Sequence, residues 1–161
     1  MSDIAVNIVM LLVKGIPEGM LAVLALHIFT RTPLDKRKYL FLSFVYITAT
    51  YLIRFLPIAL GVNTVLSLFV LIITFQFTYK ARLSEVIRTI ASSAVILIII
   101  AVSEVLNMFL LIALYGQSKA EELLSSNNGI VQSIYTIPSS IIFAFFIFIG
   151  YLILKKLEKR K

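Results

Sequence analysis

Long apolar runs separated by short polar segments dominate the chain. Five runs are evident, and a helix of roughly 20 apolar residues crosses the hydrocarbon core of a membrane. Helices of this kind predict an all-α membrane protein, a bundle of five transmembrane helices forming a single transmembrane domain over residues 1–161. The predicted spans cover residues 4–29, 39–60, 64–79, 90–114 and 134–154.

The polar segments alternate in charge along the chain. Segments 31–38 and 80–88 and the tail 155–161 are rich in lysine and arginine, whereas the other exposed segments are not. Because basic loops stay on the cytoplasmic side, the alternation predicts an N-terminus outside and a C-terminus in the cytoplasm. The net charge of +7 therefore indicates topology and contact with membrane lipid, and no nucleic-acid partner is expected.

Local signals predict where several helices begin. Residues 32–35 combine a threonine cap, a proline and an aspartate, which predicts the start of the second helix there. Residues 61–63 predict a tight turn, with Asn63 or Thr64 capping the third helix. Residues 118–121 match a capping box and predict a short amphipathic helix, lying either at the membrane interface or over the mouth of the bundle as a lid.

Composition agrees with a membrane class and narrows the chemistry. Hydrophobic residues make up 60% of the chain and mean hydropathy is +1.02. Without cysteine and with His27 alone, no metal site or other cofactor is expected. His27 falls near the cytoplasmic interface, which favours a helix-packing hydrogen bond over a proton relay. No zinc-hydrolase or serine–histidine motif is present, so no enzymatic activity is expected.

Four ionisable residues lie deep inside the apolar runs: Lys14, Glu18, Arg54 and Glu104. A charge at the bilayer centre costs at least about 2.5–3.5 kcal/mol, so each marks a candidate functional site. Counted at about 1.5 Å per residue from the cytoplasmic helix ends, all four fall in one slab in the outer half of the membrane. Two cations balance two anions, as a buried arrangement requires.

Other polar and helix-bending residues fall in the same slab. Asn107 follows Glu104 by three residues, and Pro17 and Pro57 predict hinges in the first two spans. A polar cavity open to the outside, closed below by apolar packing, would house them all. Two interpretations of these charges stay open: a structural ion-pair network, or a site that recognises a ligand, an ion or a signal. A separate alternative concerns Lys14, whose side chain would extend to the membrane surface if the first span begins later in the chain. The predicted site residues are Lys14, Glu18, Arg54, Asn63, Thr64, Glu104 and Asn107.

A family resemblance rests on three short motifs. Ile16-Pro17-Glu18, the run at 51–64 and Glu104-Val105-Leu106-Asn107 resemble a membrane region of clostridial and other Gram-positive proteins, over roughly residues 10–110. In some of those proteins this region stands ahead of a GHKL-type histidine-kinase module. The resemblance implies a bacterial plasma membrane as the location, and it implies that Glu18, Arg54 and Glu104 are family features. The chain departs from the pattern at Asn63, where the family has histidine, and we expect no kinase module within residues 1–161.

These observations lead to three functional hypotheses. The first is a membrane sensor that binds a small or lipid-borne ligand and signals through a cytoplasmic partner such as a histidine kinase, or through a homodimer. The second is a small transport subunit, the solute-binding component of an importer. The third is an accessory subunit whose charges serve only the assembly of a membrane complex.

Overall fold

All secondary structure in the described part of the chain is helical. The computed structural model describes residues 11–53, 60–80, 83–126 and 129–159, and within these ranges there are six α-helices and no strand. A π-helical turn, Leu11–Gly15, leads directly into the first α-helix. The α-helices are α1 (Ile16–Thr30), α2 (Lys36–Ile53), α3 (Leu60–Tyr79), α4 (Leu83–Tyr115), α5 (Gln117–Leu124) and α6 (Gly129–Glu158).

Four helical stretches are long and apolar enough to cross a membrane. They are Leu11–Thr30, Val62–Tyr79, Ser84–Tyr115 and Ile130–Glu158, and they correspond to four of the five predicted spans. The class of the fold, an all-α protein with membrane-spanning helices, agrees with the sequence. Helix α2 is not among the four: it opens with three basic residues, and its described part stops at Ile53. The fifth span and the orientation stay predictions.

The predicted start of the second helix at Thr32 is wrong. Arg31 has a left-handed backbone, with φ of 55°, and its N–H donates to the Ile28 carbonyl at 3.2 Å. The Thr32 N–H donates to the His27 carbonyl at 3.1 Å, which completes a Schellman motif at the end of α1. Asp35 caps α2 instead, because its Oδ1 accepts the Arg37 N–H at 2.9 Å.

The predicted turn at residues 61–63 is also wrong, since these residues lie in the first turn of α3. Because the helix begins at Leu60, Asn63 and Thr64 lie inside it and neither is its N-cap residue. One glycine costs a helix only about 1 kcal/mol, which tertiary packing easily overrides. Gly61 is therefore accommodated inside α3.

Helix α5 exists as predicted but begins differently. Its N-cap is Gly116, with φ of 82° and no side-chain cap, so the capping box at residues 118–121 is wrong. The Glu121 carboxylate instead accepts a hydrogen bond from Gln117 Nε2 at 3.1 Å, one turn earlier. Helix α5 packs on α4 and α6 through the buried Ala120.

Helix α1 is the best-buried helix of the bundle. It packs against α2, α4 and α6, and Ala22, Val23, Ala25 and Leu26 are almost fully buried. Helices α2 and α3 pack on each other, as do α4 and α6. The core therefore runs along α1, with the other helices around it. From those helices the core includes Leu42, Tyr46, Leu68, Leu71, Phe75, Ile96, Ile100, Phe143 and Ile147.

The basic segments meet at one end of the bundle, which we call the basic end: residues 31–38, 80, 88 and 155–159. Arg31 Nε, at the close of α1, lies 3.6 Å from Glu158 Oε1 in the last turn of α6. Arg88 Nη1, near the start of α4, donates to the Thr30 carbonyl at 3.4 Å. The end of α1, the start of α4 and the end of α6 are thus neighbours.

His27 joins α1 to α3 just inside the basic end. Its Nδ1 donates to the Val23 carbonyl at 2.8 Å, so in the neutral ring Nε2 accepts from the Tyr79 hydroxyl at 2.9 Å. The edges of the Phe75 and Tyr39 rings pack against the imidazole at centroid distances of 5.3 and 6.0 Å. This is the helix-packing hydrogen bond that the sequence favours for His27.

Candidate functional site

A cavity of about 100 Å³ lies between the π-helical turn and helices α1 to α4, far from the basic end. It is the space left where the beginning of α1, the last turns of α2, the first turns of α3 and the middle of α4 come together. It is lined by Leu11, Lys14, Gly15, Glu18, Gly19, Ala22, Tyr46, Ile47, Thr50, Tyr51, Asn63, Thr64, Ser67, Ile100 and Glu104.

Five of the predicted site residues line this one cavity: Lys14, Glu18, Asn63, Thr64 and Glu104. They come from three different helices and the π-helical turn. Lys14 and Glu18 are half-buried, and Glu104 is the more exposed. Arg54 and the predicted hinge at Pro57 lie outside the described residues.

Asn107 does not line the cavity. It is buried, and its Nδ2 donates to the Tyr135 carbonyl at 3.0 Å, which joins α4 to α6. Three residues along an α-helix turn the side chain by about 300°, so Asn107 points about 60° away from Glu104. That rotation is enough for the two residues to face different neighbours. Asn107 belongs to a helix contact, apart from the charged cavity wall.

The predicted distortion at Pro17 takes the form of a change in helix type. The chain is π-helical from Leu11 to Gly15 and α-helical from Ile16, with Pro17 in the first turn of α1. Proline has no N–H to donate, so the first turn of a helix accommodates it well. The wider π-turn carries Lys14 next to the cavity, and π-turns occur frequently at functional sites.

Lys14 and Glu18 stand on the same helical face without pairing. Their i, i+4 spacing brings such side chains within reach of each other. Yet neither makes an ion pair within 4.0 Å or a hydrogen bond with any residue in the described ranges. Both side chains are half-buried, and a charge held away from water is costly unless it is paired, so a polar ligand between them would be stabilising. No group of three metal-ligating side chains occurs in the described part of the chain.

Two buried oxygens in the lining residues also lack partners within the described ranges. They are Thr50 Oγ1 and Asn63 Oδ1. Elsewhere, the Thr74 hydroxyl donates to the carbonyl four residues earlier at 2.8 Å, the usual solution for a hydroxyl in an apolar helix. A buried polar atom without a partner costs about 1–3 kcal/mol. The cavity therefore offers both charges and neutral polar atoms to an occupant.

The inner side of the cavity is closed by the apolar core. Ala22, Tyr46 and Ile100 belong both to the cavity lining and to the buried core. Gly19 allows α1 and α2 to approach closely there, since a Cβ atom on it would lie 2.5 Å from Ile47 Cγ1. The polar wall thus stands above a tightly packed floor.

Several lining residues were missed by sequence reasoning. Four polar residues line the cavity without being among the predicted site residues: Tyr46, Thr50, Tyr51 and Ser67. A helical spacing of four could have found two of them, because Thr50 and Tyr46 precede Arg54 by four and eight residues. Ser67 similarly follows Asn63 by four.

The chain was compared with known proteins at three levels. No known protein family, no curated protein and no solved structure matches it.

Proposed function

We propose that this protein is a membrane binding module that recognises a small or lipid-borne ligand in the charged cavity. The observation that carries the proposal concerns four polar groups of the cavity lining. Lys14 and Glu18 form no ion pair or hydrogen bond with a described residue, and the buried oxygens of Thr50 and Asn63 have no hydrogen-bond partner in the described part of the chain. A purely structural charge network would satisfy its own members, because buried polar groups are otherwise destabilising. A ligand would satisfy them on binding.

The proposal includes five spans, with the N-terminus outside and the cavity toward the outer face. Helix α2 is about 27 Å long at 1.5 Å per residue, close to the thickness of a hydrocarbon core. The contact between Arg31 and Glu158 supports its crossing: if these residues share a side of the membrane, an even number of spans must separate them. With α3, α4 and α6, helix α2 makes that number four.

Signalling would run along α1. This helix extends from the cavity wall at Glu18 to the hydrogen bond between His27 and Tyr79 and on to Arg31 at the basic end. A ligand that shifts the start of α1 against α2 and α3 would therefore alter contacts at the opposite end. By its resemblance to membrane regions of kinases, the chain would act on a histidine kinase or another cytoplasmic partner, or as a homodimer.

The test compares threonine-to-valine variants of the purified protein by native mass spectrometry. Thr50→Val removes the unpartnered hydroxyl while conserving shape, and Thr74→Val is the matched control, whose hydroxyl is bonded within its own helix. We expect a copurifying small molecule on the wild type and on Thr74→Val, and its loss from Thr50→Val. The ligand-free Thr50→Val protein should be more stable than wild type by about 1 kcal/mol.

Loss of stability without any bound molecule would contradict the proposal and favour the assembly hypothesis. If a molecule copurifies, proteoliposomes loaded with the protein decide between the other two hypotheses. Uptake of that molecule into the vesicles, alone or with an ATPase, would indicate a transport subunit. Binding without uptake would agree with a sensor.

A further inference from the structure

We propose that the ligand is a small zwitterion, with a primary ammonium group and an anionic group joined by a short linker. This inference rests on the proposed function and names the ligand class for the same cavity. It follows from the charges, the unpartnered polar atoms and the size of the site.

Three charged residues line the cavity in the described part of the chain, and one of them, Glu104, has an interaction of its own. The other two, Lys14 and Glu18, present opposite charges one helical turn apart and form no ion pair with each other. An anion alone would pair with Lys14 and leave Glu18 unpaired beside it, and a cation alone would do the reverse. A zwitterion pairs with both and adds no net charge to a low-dielectric site.

The neutral polar atoms identify the kind of cation. Asn63 Oδ1 is an acceptor only, and it is buried without a donor in the described part of the chain. A primary ammonium group carries three N–H donors, enough for Glu18, Asn63 and one further acceptor. A quaternary ammonium group has none. The Thr50 hydroxyl, in the same lining, can donate to an anionic group of the ligand.

The size of the site limits the linker. A cavity of about 100 Å³ above a close-packed floor has room for a few non-hydrogen atoms besides the two charged groups. Two sources provide this chemistry: a free amino acid, and the phosphoethanolamine headgroup of a lipid that reaches the cavity from the bilayer. Both carry an ammonium group a few bonds from an anion.

Calorimetric titration of the full chain in phosphatidylcholine nanodiscs tests the inference. The probes are glycine, alanine and serine as zwitterions, methylammonium as a cation, acetate as an anion, and glycine betaine as a zwitterion without N–H donors. We expect at least one amino acid to bind, and the other three probes to bind about tenfold more weakly or not at all. Nanodiscs containing phosphatidylethanolamine form a second arm, with lipid retention followed by native mass spectrometry.

Variants locate the binding. Lys14→Met and Glu18→Gln should each weaken zwitterion binding about tenfold or more. The controls Lys119→Met and Glu122→Gln remove the same charges from an exposed ion pair on α5 and should leave binding unchanged. The exchange of both charges, Lys14→Glu with Glu18→Lys, keeps the composition and should bind more tightly than either single variant. Binding by this double variant would also show that the single variants lose binding because a charge is missing and not because they misfold.

The outcomes separate the two proposals. Amino-acid binding that is equal in both nanodiscs assigns the site to a free zwitterion, and competition by phosphatidylethanolamine assigns it to the headgroup. Acetate or methylammonium binding as tightly as the amino acids, with the same dependence on Lys14 and Glu18, overturns the zwitterion but leaves the cavity a binding site. If no zwitterion binds in either kind of nanodisc, the inference about the ligand class is wrong. The proposed binding function is decided separately by mass spectrometry: it holds if a molecule copurifies with Thr74→Val and not with Thr50→Val.

Discussion

Gly19 is the residue on which the closeness of α1 and α2 at the cavity floor depends. A Cβ atom there would lie 2.5 Å from Ile47 Cγ1 and 3.6 Å from Tyr46 Cδ1. We expect Gly19→Ala to cost about 1–3 kcal/mol by overpacking, against about 1 kcal/mol gained from helix propensity. The net result should be a lower midpoint of thermal unfolding in detergent and a displaced cavity wall.

A double-mutant cycle checks that cause. Ile47→Ala removes the atoms that the new methyl group meets, so the combined variant should be less destabilised than the sum of the two single changes by about 1 kcal/mol. Strict additivity would mean that Gly19 acts through the backbone alone, and the explanation by close packing would be wrong.

The ionisable residues of the cavity can be predicted from the sequence, whereas its neutral polar residues cannot. Lys14, Glu18 and Glu104 stand out in an apolar run because the membrane penalises charge. Thr50 and Tyr46 do not, because a threonine hydroxyl in a transmembrane helix usually bonds its own backbone, and tyrosine is common near membrane interfaces. Only the structure distinguishes Thr50, whose hydroxyl lacks that bond, from Thr74, whose hydroxyl has it.

The hydrogen bond between His27 and Tyr79 connects α1 to α3 at a distance from the cavity. Tyr79→Phe keeps the ring packing against Phe75 and removes the donor to Nε2. We expect a loss of about 1 kcal/mol, because the imidazole nitrogen is left buried without a partner. Thermal unfolding in detergent measures it.

The matched control is Tyr151→Phe on α6, where the tyrosine is exposed and the ring remains available to the Lys155 ammonium. It should leave stability within about 0.5 kcal/mol of wild type. Equal effects of the two substitutions would show that the hydroxyl of Tyr79 contributes nothing specific to the helix contact.

Helix existence was predictable and helix ends were not. Apolar runs report which residues avoid water, so four predicted spans correspond to α1, α3, α4 and α6. Hydrophobicity says little about where backbone hydrogen bonding starts and stops. Thr32 has the side chain of a typical N-cap residue, but its N–H donates to the His27 carbonyl and so closes α1. A sequence pattern that treats each helix separately does not show that the end of α1 and the start of α2 compete for this residue.

Most basic residues lie at one end of the bundle and the cavity lies at the other. The basic end gathers most lysines and arginines, and the cavity lies at the opposite end of α1, α2 and α3. A membrane with an anionic inner leaflet holds a basic end on the cytoplasmic side. In the proposed orientation the cavity would face the outside, where a sensor or an importer would meet its ligand. The number of crossings therefore bears directly on function.

Single-cysteine labelling in intact cells tests that orientation cleanly, since the chain contains no cysteine. Lys36, Ser118 and Lys156 are all exposed at helix ends and suit replacement. With five spans, Ser118→Cys should react with a membrane-impermeant maleimide from outside, whereas Lys36→Cys and Lys156→Cys should react only after permeabilisation. If α2 did not cross, Lys36 and Lys156 would fall on opposite sides, and the contact between Arg31 and Glu158 could not form in the membrane. Labelling of Lys156→Cys but not of Lys36→Cys from outside would therefore refute the five-span bundle and the outward cavity together.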